Sequence, residues 1–83
     1  MNIKTLLNKT TEFFKKQNIP NSRLDAEVLL ADLLDMERIK LYVNFDYPLT
    51  KEELAEYRKR VVRRAKREAV SYIIGYKEFM SLE

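Results

Sequence analysis

Seven of the ten side chains from Arg58 to Arg67 are lysine or arginine. That density is suited to tracking a phosphate backbone, so the run is the first candidate for binding chemistry. Lys59, Arg60, Arg63, Lys66 and Arg67 fall on the face opposite an apolar stripe of Leu54, Tyr57, Val61 and Ala65, with Val62 on its flank. Arg58 lies beside the stripe, where its stem can cover Leu54 while the guanidinium reaches water. A solvated helix face explains the same charges more economically. Glu52, Glu53 and Glu56 open the helix and the cations close it, which is the arrangement the helix dipole favours. Tyr42, Phe45, Tyr47, Tyr72, Tyr76 and Phe79 could form an aromatic platform, but ordinary core and loop anchoring suits most of them. Tyr76 and Phe79 are the exceptions, because they lie beyond the helical part of the chain. The positions expected to face a partner are therefore Arg60, Arg63, Arg64, Arg67, Tyr76 and Phe79.

Catalysis within this chain finds no support. Histidine and cysteine are both absent, which removes the usual general base, the usual nucleophile activator and the commonest metal ligands. The carboxylates show no catalytic spacing. No residue is assigned a catalytic, cofactor-binding or metal role. A helix-turn-helix also fails, since the segment ERIKLYV spends on burial the positions that should read bases.

The elements that must carry these residues are helical. Eighty-three residues with 46% hydrophobic side chains suit a single domain. Residues 2–17 form a first helix capped by Asn2, with Ile3, Leu6, Leu7, Phe13 and Phe14 inward and a stop at Asn18 and Pro20. A second helix starts at Asn21 or Ser22, with Ser22 and Asp25 as a weak capping box, and runs to about Leu34. It is apolar over more than half its circumference and is expected to be the most buried element. A short third helix spans Glu37 to about Val43, with Ile39, Leu41, Tyr42 and Val43 apolar. The loop NFDYPL follows. Thr50 and Glu53 then make a capping box for the long basic helix. AVSYII forms a last short helix, closed by Gly75 as a left-handed cap. The net charge of +3 resides entirely in residues 51–83.

Two ordered motifs carry a resemblance. LDAEVLLADLL at 24–34 is followed by Arg63, Arg64, Glu68, Tyr72, Ile73, Gly75, Glu78 and Phe79 in the pattern RR-x3-E-x3-Y-I-x-G-x-x-E-F. Together these resemble the HemK/PrmC family, protein-(glutamine-N5) methyltransferases that modify peptide chain release factors. The resemblance covers that family's N-terminal helical domain. It implies an all-α bundle of about five helices over residues 1–75, with residues 76–83 beginning an extended connector to a catalytic domain. It further implies a release-factor-recognition role, with S-adenosylmethionine bound and used by the parent enzyme but not by this segment. Partners would be a class-1 release factor and the chain's own catalytic domain. Where the family has Gly-Glu-Pro, this chain has Arg67-Glu68-Ala69, so the long helix is expected to run further than in relatives.

Lys4 and Lys9 interrupt any leader-like apolar run, and no stretch reaches the ~20 apolar residues of a membrane span. The expected compartment is the cytoplasm, with no membrane partner and a monomeric state. Residues after about Tyr76 are expected to be mobile. Two alternatives differ in class: a basic nucleic-acid-binding module using Arg58–Arg67, which is the less favoured partner, and a stand-alone interaction domain pairing through Tyr72, Ile73 and Ile74.

Overall fold

The computed structural model describes residues 1–75. The expected connector, including Tyr76 and Phe79, lies outside them. The described residues form α1 (Ile3–Lys16), α2 (Ser22–Leu34), α3 (Arg38–Val43), α4 (Lys51–Ala65) and α5 (Val70–Ile74), with no strand among them beyond an isolated Asn2–Pro48 bridge. The fold class is all-α, as expected.

Helix starts follow local chemistry. Asn2 accepts the Thr5 amide at 2.9 Å, and Thr50 and Glu53 exchange both bonds of their capping box. At α2 the expected box is absent. The Ser22 hydroxyl donates instead to the Ile19 carbonyl at 2.7 Å, because Ser22 and Asp25 are both buried and Asp25 is drawn towards α4.

Helix ends depart further from expectation. α4 does not run on; it stops at Ala65 without a glycine or proline. Arg67 itself takes a left-handed conformation, φ 77°. The Arg67 amide then donates to Arg64 O and the Glu68 amide to Arg63 O, a Schellman closure that satisfies the last carbonyls. The same pattern ends α1 at Asn18 (φ 62°) and α2 at Asp35 (φ 57°). At Gly75, φ is 89° but ψ is 176°. This is the extended positive-φ region open essentially to glycine alone, rather than a left-handed cap.

α2 is the hub, touching each of the other four helices. Leu29, Leu30 and Ala26 are fully buried there, against Ile3, Leu7 and Phe14 of α1, Leu41 of α3 and Tyr57 of α4. Some expected core positions turn outward. Phe13 and Leu24 are exposed, and Thr10 and Thr11 are buried on α1 instead. The Thr11 hydroxyl bonds Leu7 O at 2.7 Å, so its burial leaves no polar group unmet. On α3 only Leu41 is buried, while Ile39 and Val43 are 67% and 73% exposed. The pairing patch Tyr72-Ile73-Ile74 is split, since Ile73 is buried in the core.

Tyr57 connects core and backbone. Its hydroxyl donates to Ala26 O at 2.9 Å. Burial pushes its ionisation far above the ordinary value, against the opposing pull of Thr10 and the Arg23 charge. Above a pH of about 10 the unfolded chain releases this proton and the folded chain does not, so stability is intact below that pH and falls above it. Tyr57→Phe should cost about 1 kcal/mol at neutral pH. It should also flatten the alkaline loss by up to about 1.4 kcal/mol per pH unit. Urea melts at pH 7 and in the alkaline range measure both, and an unchanged alkaline limb would assign the loss to another group.

Candidate recognition surface

Heptad spacing puts Tyr57, Arg60 and Arg64 on the face of α4 that meets α2. Their long side chains therefore reach into the bundle. Arg60 Nη1 donates to Asp32 Oδ2 at 2.7 Å and to Leu29 O at 3.3 Å. Arg64 Nε donates to Asp25 Oδ2 at 2.8 Å and its Nη1 to Glu68 O at 3.0 Å. The Arg64 and Asp25 side chains retain only 18% and 10% of their exposure. Arg63 pairs at 2.8 Å with Glu68 nearer the surface. Arg67 Nη2 donates to Gln17 O at 2.7 Å, tying the end of α4 to the end of α1. All four arginines expected to face a partner thus have intramolecular acceptors, and two of them face α2. Much of the basic face is thereby committed to holding helices together.

The carboxylates flanking Ala26 explain the inward turn. Asp25 answers Arg64. Glu27, 3% exposed, accepts from Arg23 Nε at 2.9 Å and from the Tyr42 hydroxyl, and pairs with Arg38 Nε at 3.3 Å. Arg23 also stacks over the Tyr42 ring, 5.9 Å from its centroid. LDAE is therefore a double clasp from α2, to α4 through Asp25 and to α3 through Glu27. The spacing of Asp25 and Glu27 on either side of a buried alanine was a usable signal, because carboxylates so placed must find donors.

A cleft lies between α1 and α4. Leu49 N donates to Met1 O at 3.0 Å at one end of the pair, and Arg67 holds Gln17 at the other. Both helix starts are thus together, as are both ends. The space between is about 370 Å³, floored by Leu6, Thr10, Leu54, Tyr57 and Val61 and edged by Lys9, Phe13, Arg58 and Val62. Sequence reading treated Phe13 as core and Val62 as a flank, and so missed this groove.

A double-mutant cycle on Asp25→Ala and Arg64→Ala should give a coupling of about 1–3 kcal/mol. Added salt should leave it nearly unchanged, since the pair is largely dehydrated. The same cycle on Arg63 and Glu68 should give roughly 0–1 kcal/mol and fade with salt. Equal, salt-sensitive couplings would refute the distinction.

Comparison with known proteins places this geometry. Over 77 residues the chain is 52% identical to a release factor glutamine methyltransferase of Leptospira interrogans, covering 93% of this chain and 27% of that protein. It is 46% identical over 81 residues to one from Geobacter sulfurreducens, covering 98% and 28%. It is 37% identical over 81 residues to a bifunctional methyltransferase of Rickettsia felis, covering 98% and 15%. The chain spans about a quarter or less of the length of these curated relatives. No solved structure gives a significant match. Residues 5–75, nearly all of the described bundle, match the PrmC N-terminal domain, and the chain belongs to that family.

Proposed function

We propose that this chain is the non-catalytic N-terminal domain of a release factor glutamine methyltransferase, where it holds the release factor for a catalytic domain elsewhere in the protein. The observation that carries the reading is the match of residues 5–75 to the PrmC N-terminal domain, together with relatives named for that activity. In this reading residues 1–75 are the bundle and residues 76–83 the start of the connector. Arg63 and Arg67 keep partly exposed side chains and stay, with Tyr76 and Phe79, among the residues proposed to face a partner.

S-adenosylmethionine belongs to the other domain in this reading. The described residues do not fit it. No buried side-chain nitrogen or oxygen lacks a partner, and the one glycine, Gly75, opens on empty space rather than a cradle. No described helix is long and apolar enough to cross a membrane, which suits a cytoplasmic enzyme acting on the translation machinery. Gripping a large protein substrate through a separate domain converts the placement of one glutamine side chain into a nearly intramolecular event.

The test is methyl transfer to the release-factor glutamine by the protein containing this domain, with and without residues 1–75. The expected outcome is activity in the longer protein and a roughly 10–100-fold lower kcat/KM in the shorter one, carried mainly by KM. A longer protein that transfers no methyl group to release factor would overturn the reading.

A further inference from the structure

The cleft between α1 and α4 is apolar at its floor and cationic at its rim. Its lining holds no carboxylate, and its two charged side chains, Lys9 and Arg58, stand on opposite helices. Neither has an acceptor among the described residues, whereas Arg23, Arg38, Arg60, Arg63, Arg64 and Arg67, the other arginines of the chain, each do. Among the described residues Arg58 is thus the one arginine without an acceptor, and it borders an apolar groove with large side chains open to water. Phe13, Val62 and Met1 are 39%, 48% and 49% exposed along its edges.

A small polar ligand does not suit this site. The Tyr57 hydroxyl is already committed to Ala26 O, which leaves no set of convergent polar groups on the floor. The ties at both ends of the helix pair fix its spacing, so the groove cannot close over its own apolar floor without breaking them. We propose that this groove receives an amphipathic helix of the release factor, its apolar face on Leu6, Leu54 and Val61 and its carboxylates against Lys9 and Arg58. The geometry is that of a helix laid in a hydrophobic groove. The inference rests on the release-factor reading and adds to it the docking face and the chemistry of the docked segment. The charge complement fixes the register of the docked helix and speeds encounter.

The experiment is a titration of the isotopically labelled chain with unmethylated class-1 release factor. It follows the methyl groups of Leu6, Leu54, Val61 and Val62. The expected result is shifts concentrated on those groups, with affinity at least tenfold weaker in a Lys9→Glu/Arg58→Glu variant. Both substituted side chains are exposed and unpaired, so the variant should keep its fold, and an unperturbed core spectrum checks that. A Lys4→Glu/Lys40→Glu variant, carrying the same charge change at exposed positions outside the groove's lining, should bind within twofold of the parent. Three outcomes overturn the docking site. Shifts elsewhere with the groove silent would keep the release-factor reading and move the face. No shifts at all would remove the groove, leaving the reading to the methyl-transfer assay. Groove shifts that grow with chain concentration alone would assign it to a second copy.

Discussion

Two carboxylates taken out of water on one helix oblige the rest of the bundle to answer them. A buried charge without donors costs more than a small domain has to spend, since its whole stability is only about 5–15 kcal/mol. Asp25 and Glu27 therefore do more than occupy the centre. Each is stable only when a particular neighbour sits at a particular place, α4 through Arg64 and α3 through Tyr42 and Arg38. Leucine packing alone would tolerate sliding of one helix on another, because apolar contact has no direction. The ion pairs supply the missing direction. In such pairs the gain in net stability is small while the penalty for mispairing is large.

This economy changes the meaning of the charge count. A chain at +3 with a dense run of cations looks built for polyanions, yet guanidinium groups are consumed by carboxylates and carbonyls of the same molecule. What is left for a partner is sparse and local. A recognition domain with a few uncommitted charges around an apolar floor discriminates among proteins better than a uniformly basic face would. The latter attracts any polyanion and loses its hold with salt.

The helices themselves were legible, since amphipathic periodicity, Asn2, the Thr50–Glu53 box and Pro20 are all local signals. The arginines were not. A helical wheel cannot tell a side chain that points into water from one that reaches across to a neighbour, and the acceptors of Arg60 and Arg64 lie 28 and 39 residues away in sequence. α3 misled for the opposite reason: its apolar residues suggested burial, but a six-residue helix packed on one side can bury little more than Leu41. The stop of α4 was also illegible. Propensity places glycine at such a turn, whereas here arginine accepts the strain because the turn satisfies the last carbonyls and sends Arg67 to Gln17. The groove could not be foreseen either, because it depends on how far apart two helices are held.

The tie from Met1 to Leu49 has a practical consequence at the bench. Since the Met1 carbonyl accepts the Leu49 amide in that tie and Met1 also lines the groove, anything fused ahead of it emerges at the groove's mouth. An affinity handle or a few residues left by protease cleavage would lie where a ligand is expected. A preparation extended ahead of Met1 and one that starts there are then different reagents wherever the groove is probed.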